Sequence, residues 1–264
     1  MSLLNLLIDE AKKRLSNNIG NLRIDNIILG KSLYTIKGSS KVFTDMNFCL
    51  VLFENAYGFS YFQGEIDYSL EKYVNKNAVD ILNKPIPIYL KIAITDALYL
   101  LIDNDLLKNK EVFKGDIRQK ATQRATKLLD HIPDGSNVLV LGAATEIIEE
   151  AKNKKCKIRI LDLEEQKIGM EISAINVSDG SQCDIEEEIK NTDYIVATGM
   201  IFVSETADMI IEIVKSYSKH LSVYMETGSN FGPQLIKHGV NKVLSEFFPY
   251  YDFFGDTKYL VFTK

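Results

Sequence analysis

The chain has 264 residues, 46% of them apolar and 25% charged, an ordinary balance for a soluble globular protein with room for one large domain or two small ones. Its net charge of −5 offers no basic face for nucleic acid or an anionic membrane, so neither is expected as a partner. No apolar run approaches the roughly 20 residues of a membrane span. The opening MSLLNLLIDEAKKRL brings in Asp9 and Glu10 too early for a secretory signal. Cys49, Cys156 and Cys183 are odd in number and widely spaced, which reads as free thiols in a reducing, cytoplasmic setting.

Residues 2–18 predict an amphipathic helix with Leu3, Leu4, Leu7, Ile8, Ala11 and Leu15 as its apolar stripe, closed by Gly20. Strands are expected over 23–29 and 32–36. The apolar run Phe48 to Glu54, a turn at Asn55 and Tyr57 to Phe62 predict a hairpin. A helix is expected over 70–83, and after the Pro85/Pro87 break another over 89–103. This half reads as a small, largely antiparallel α+β domain. A helix over 117–131 follows. Its Lys120, Arg124 and Lys127 share one face, which reads first as a solvated surface and second as an arm toward an anionic ligand. The boundary falls between about 104 and 135, dividing the chain into 1–115 and 116–264.

The second half is organised around Asn137 to Asp162, NVLVLGAATEIIEEAKNKKCKIRILD. Val138 to Leu141 form a continuous apolar run, as in a parallel strand buried on both faces. Gly142 permits a sharp turn. Thr145 to Lys155 is helical in pattern, and Lys157 to Leu161 is the next strand, with Asp162 at its end. A short strand near 175–177, a strand at 194–197, a helix at 205–218 with Ser204 as N-cap, a strand at 221–225, a helix at 231–238 closed by Gly239, a brief strand at 243–244 and a last strand at 258–262 follow. The alternation predicts a Rossmann-like, mostly parallel sheet covered by helices.

In open parallel sheets, ligands lie beyond the carboxyl ends of the strands. Those ends here carry Gly142-Ala143-Ala144-Thr145, Asp162, Thr198-Gly199-Met200 and Glu226-Thr227-Gly228-Ser229. The candidate binding residues are therefore Gly142, Ala143, Asp162, Thr198, Gly199, Gly228 and Ser229. Asp162, 20 residues after Gly142, has the spacing of a carboxylate that accepts ribose hydroxyls, which admits S-adenosylmethionine or a nucleotide. The second and third glycines of GxGxxG are missing, which argues against NAD or FAD. His131, His220 and His238 are scattered, and no paired metal-ligand motif occurs. Glu226, directly after an apolar strand and beside Thr227 and Ser229, is the candidate acid/base or metal-binding carboxylate.

Two segments, YIVATGMIFVSETADMIIEIV and SVYMETGSNFGPQLIKHGVNKVLS, resemble a family described as a heavy-metal-chelation domain. Ala197-Thr198-Gly199, Val203 and Thr206 match its ATGSTLVNGTL-like segment. Gly228, Ser229, Pro233, Leu235 and Gly239 match its VGPSTPLSPxLFxxG-like segment. Gly142 holds the glycine of its GHFP turn, and LKIAITDALY at 90–99 is similar to its xxIGLAAINAL helix. The resemblance implies an enolase-N-terminal-like half joined to a Rossmann-like half, with a site in the cleft between them for a divalent metal or a metal-chelating small molecule. The sequence departs from that pattern where the turn's His is Ala143, its first Gly-Pro is Glu226-Thr227 and its second Pro is Asn230; Glu226 would supply an oxygen ligand instead.

Three functions stand on these residues. The first is a cytoplasmic protein that binds or processes a metal, a metal chelate or a chelator precursor. The second is an enzyme using S-adenosylmethionine or a nucleotide at the strand ends. The third is a non-catalytic scaffold. Exposed strand edges in the small first domain admit a homodimer.

Overall fold

A computed structural model describes residues 1–16, 22–35, 42–103, 108, 110–248 and 255–264. The expected helix end at Gly20 lies outside them, as does Ile36. The chain separates into two compact units. Unit 1 comprises Met1–Lys110, Gly199–Thr206 and Glu226–Gln234; unit 2 comprises Glu111–Thr198, Ala207–Met225 and Leu235–Lys264. Neither unit is a continuous stretch of chain, whereas the sequence expectation divided the chain once, after residue 115.

In unit 1, helix α1 (Leu3–Arg14) is capped by the Ser2 hydroxyl and buries Leu3, Leu4, Leu7, Ile8 and Ala11. Strands β1 (Asn26–Thr35), β2 (Val42–Phe53) and β3 (Ala56–Phe62) form an antiparallel sheet in that order, with Leu52 opposite Tyr57 and Phe53 opposite Ala56 flanking the predicted turn. The two short strands expected over 23–36 are instead one strand with a register shift between Ser32 and Tyr34. The single helix expected over 70–83 is broken. A 3₁₀ turn (Tyr68–Tyr73) gives way to extended Val74 and to Asn75 at φ +61°, and α2 (Ala78–Leu82) restarts under an Asn77 cap. Asn77 at an N-cap position, an amide acceptor for Val79 and Asp80 N–H, is the local reason for the restart.

Helix α3 (Ile88–Ile102) is buried on every side from Leu90 to Leu100 except at Lys91, and packs on β2, β3 and α1. Its approach to β3 depends on Gly58: a Cβ there would lie 2.0 Å from Ala93 O and 2.3 Å from Ala97 N. Tyr99 anchors α1 by donating its hydroxyl to Leu7 O at 3.0 Å.

Among the described residues, unit 2 is built on a nine-stranded sheet, β4-β12-β11-β10-β9-β5-β6-β8-β7. Its parallel core comprises β5 (Asn137–Leu141), β6 (Lys157–Asp162), β8 (Ile175–Asp179), β9 (Tyr194–Thr198), β10 (His220–Met225) and β11 (Lys242–Glu246). Antiparallel β12 (Thr257–Thr263), β4 (Glu111–Phe113) and β7 (Glu171–Ile172) extend the edges. In chain order the six parallel strands lie third, second, first, fourth, fifth, sixth. That is the doubly wound order, with its reversal between β5 and β9.

Helix α4 (Ile117–Leu129) opens on an Asp116/Gln119 capping box and packs on α5 (Thr145–Asn153), β10 and β11. Along β10, Ser222 and Tyr224 face α4, while Leu221, Val223 and Met225 fill the opposite face, where α8 (Ala207–Ser216) packs beside α6 (Ile185–Lys190). Ser204, expected to cap the 205–218 helix, instead ends a separate short helix, α7 (Met200–Val203), and Glu205 at φ +56° breaks the chain before α8. The C-terminal helix α9 (Gly232–Lys237) joins β10 to β11. No helix among the described residues is long and apolar enough to cross a membrane.

The face shared by Lys120, Arg124 and Lys127 is not a solvated surface. Lys120 is buried and donates to Gly255 O at 2.9 Å, and Arg124 pairs with the buried Glu246.

Candidate functional site

The reversal point of the unit 2 sheet lies between the carboxyl ends of β5 and β9, and two of the sequence candidates mark it. Gly142 follows β5 at φ +100°, a backbone conformation that disfavours any side chain. Space is not the constraint there, since a Cβ on Gly142 would meet only the Thr198 side chain, with Oγ1 at 3.5 Å. Thr198 ends β9, and its hydroxyl takes no hydrogen-bond partner among the described residues. A side-chain-less backbone turn thus stands directly beside the Thr198 hydroxyl.

Asp162 is brought to the same turn because β6 lies beside β5 in parallel register, Leu141 opposite Leu161. Its Oδ2 accepts Ala143 N–H at 2.7 Å and its Oδ1 accepts Glu164 N–H at 2.9 Å. Lys167 Nζ lies 3.7 Å from Asp162 Oδ2 and 2.6 Å from Glu164 Oε2, so one ammonium serves two carboxylates. Asp162 therefore stitches the two turns together. At the end of β8, Asp179 is engaged in the same way, its Oδ1 accepting Ser181 N–H at 2.8 Å and the Ser181 hydroxyl at 2.7 Å.

The remaining candidates, Gly199, Glu226, Gly228 and Ser229, belong to unit 1. There the Glu226–Asn230 segment occupies the open edge of β3. Gly228 N–H donates to Phe59 O at 3.0 Å, and the Thr227 hydroxyl accepts Tyr61 N–H at 3.0 Å. Asp96 of α3 completes the cap: its Oδ2 accepts Phe59 N–H at 2.9 Å and its Oδ1 accepts Asn230 N–H at 2.7 Å. Asn230 Nδ2 returns a bond to Asp96 O at 3.1 Å. Burial pushes the Asp96 carboxyl up to about 7 against the opposing pull of these amide donors. Ser229 Oγ is buried without a hydrogen-bond partner among the described residues, and Glu226 is half-buried.

Among the described residues, no three His, Cys, Asp or Glu side chains come together in a way that could hold a metal ion. His131 bonds Ser222 Oγ through Nε2 at 3.0 Å, and Cys49 is buried in β2. Among the described residues the donor sets present do not fit a bare divalent ion; a metal arriving with its own chelating atoms needs no such set.

With this geometry in place, comparison with solved structures becomes informative. The chain aligns over 98% of its length with 98% of a protein of unknown function from the DUF364 family of Desulfitobacterium hafniense DCB-2, at 11% identity and a TM-score of 0.61. It aligns over 99% of its length with all of a DUF364 protein of unknown function from Pyrococcus horikoshii, at 15% identity and the same TM-score. The chain shares their fold. No family model and no curated protein matches the sequence. The likeness extends over both units, so the pairing of a small antiparallel α+β unit with a doubly wound unit is a property of that fold as a whole.

Sequence reasoning missed Asp96, Lys167 and the Arg124–Tyr224–Glu246 group. One signal for Asp96 was present: a single acid inside the apolar helix run YLKIAITDALYLL must be buried and therefore hydrogen-bonded. Lys167 and Glu164, three residues apart after β6, carry no comparable mark.

Proposed function

We propose that this is a cytoplasmic small-ligand protein whose unit 2 takes a metal chelate or a chelator precursor at the carboxyl ends of β5 and β9. The observation that carries the reading is the reversal of strand order at Gly142 and Thr198, with a free threonine hydroxyl beside a side-chain-less turn. Crevices at such reversals are where doubly wound sheets receive ligands. The lack of a ready protein-only metal cluster among the described residues favours a ligand that brings its own donor atoms over a bare ion. An adenosyl ligand ranks second, because the carboxylate that would meet its ribose already serves two backbone amides. Glu226 is the candidate oxygen donor of unit 1, tested separately by Glu226→Gln.

Native mass spectrometry of the freshly purified protein is the first test, with a co-purified small molecule or chelate as the expected result. Calorimetric titration with Ni²⁺, with a free chelator and with their complex follows. The complex is expected to bind, and Thr198→Val to weaken it about fivefold to tenfold through loss of one hydrogen bond. If no complex binds, or Thr198→Val leaves binding unchanged, the reading is wrong.

A further inference from the structure

We infer that Asp162 is a positioning residue: it holds the Gly142–Ala144 turn in place beside Thr198 and does not itself meet the ligand. The inference rests on the site proposed above and specifies how that site is held.

A carboxylate at the end of the second strand is where doubly wound sheets often meet a ribose. In this chain both of its oxygens are already engaged. Oδ2 accepts Ala143 N–H at 2.7 Å and lies 3.7 Å from Lys167 Nζ, while Oδ1 accepts Glu164 N–H at 2.9 Å. The side chain is only 10% exposed, which leaves little of it for a ligand to reach.

The turn needs such a hold. Gly142 sits at φ +100°, and a glycine has the widest choice of backbone conformations to leave for. Its N–H is tied to Leu161 O at 2.8 Å, and Ala144 N–H closes back on Gly142 O at 2.8 Å. The Ala143 bond between them goes to a side chain, so a substitution can remove it. Two elements hang on that bond. Gly142 lies against Thr198, where a Cβ would come within 3.5 Å of Oγ1. Two residues after Ala143, α5 opens without a side-chain cap, and the N–H groups of Thr145, Glu146 and Ile147 take no partner among the described residues. Releasing Ala143 frees both the glycine and the first turn of α5 to shift away from Thr198. Asp162 thus acts on binding through the backbone and not through its charge.

The test is a double-mutant cycle on the full chain, read by calorimetric titration. The probes are two complexes of one metal, Ni²⁺ with triethylenetetramine, which is cationic, and Ni²⁺ with EDTA, which is anionic. Asp162→Ala and Thr198→Val are each expected to weaken a complex that wild type binds by about fivefold to tenfold. In the Asp162→Ala background, Thr198→Val is expected to cost less than about twofold more, because the turn no longer holds the ligand to that hydroxyl. A merely structural role would leave the two effects multiplicative. Asp162→Asn removes the charge and keeps an acceptor for Ala143, so it is expected to bind within about threefold of wild type. Multiplicative effects, or Asp162→Asn as weak as Asp162→Ala, overturn the inference and leave the ligand site standing. If neither complex binds wild type, the site reading falls and the inference with it. Should Asp162→Ala fail to fold, Asp162→Asn decides: near-wild-type affinity supports positioning, and a loss of about tenfold overturns it.

Discussion

Arg124 of α4 donates from Nε to Oε2 of Glu246, a carboxylate with no solvent exposure at the end of β11, and the same oxygen accepts the Tyr224 hydroxyl at 2.6 Å. The guanidinium also lies over the Tyr224 ring, 4.9 Å from its centroid. Further along the same helix the charges are exchanged. Lys242, at the start of β11, donates to Asp130 Oδ1 and to Lys127 O. Reversing α4 would put like charges face to face, so the two oppositely directed pairs fix the direction of α4 on the sheet.

Removing one member of the first pair strands a buried charge. Arg124→Leu is expected to destabilise unit 2 by about 3 kcal/mol, and Arg124→Leu with Glu246→Leu by clearly less, because the second change removes the orphaned carboxylate. Urea unfolding of the two variants gives the comparison. Equal losses would mean that the pair is not what orients the helix.

Asp96 gives a pH dependence with a defined direction. Burial raises its carboxyl to about 7 in the folded chain from an ordinary value of 3.8. Between roughly pH 4 and 7 the native state holds the proton and the unfolded chain does not. Stability from this group therefore falls as pH rises through that window, by on the order of 4 kcal/mol in all. The readout is the difference in denaturant midpoint between wild type and Asp96→Asn. That difference should change across pH 4–7 and level off above it.

The cap on β3 can be tested one bond at a time. Thr227→Val removes the acceptor of Tyr61 N–H and leaves that amide buried, at a cost of about 1–3 kcal/mol. Hydrogen exchange at Tyr61 should accelerate more than at residues bonded within the β2–β3 ladder. Uniform acceleration along β3 would contradict a local cap.

Gly58 lets β3 lie directly against the backbone of α3. Gly58→Ala forces a methyl group against the backbone of Ala93 and Ala97, which cannot yield as a side chain tip would, so a loss of about 3 kcal/mol or more is expected. A circular-dichroism melt unchanged from wild type would show that the helix can withdraw.

The three thiols should separate by reactivity. Burial pushes Cys49 up to about 12, while Cys156 and Cys183 are partly exposed. Iodoacetamide at pH 8 should label Cys156 and Cys183 in the native protein and Cys49 only after unfolding.

The βαβ core at 137–162 was legible almost to the residue, because an apolar strand run and a helical apolar stripe are local signals. The basic face of α4 was not. Periodicity places Lys120, Arg124 and Lys127 together, but what faces them is set by Glu246 and Gly255, 122 and 135 residues away from Arg124 and Lys120. Thr227 and Gly228 show the same limit from the other side. A loop of small and polar residues after a buried strand looks like a ligand turn, and the structure employs its backbone and hydroxyl on the edge of β3. Gly142 and Thr198 do lie together at the ends of β5 and β9, because both strands are local apolar runs that the sequence marks.

The β3 cap also has a consequence for biosynthesis. Phe59 and Tyr61 leave the ribosome long before Thr227, Gly228 and Asn230 exist. At ordinary elongation rates the interval is on the order of 10 s. Throughout it, a nascent chain carrying a complete hairpin exposes an unpaired apolar strand edge, the kind of template that recruits other chains. Holding that edge apart until residues 227–230 have been made is a task for chaperones. Yield in a chaperone-depleted host should therefore be most sensitive to changes in β3 and in the segment that closes it.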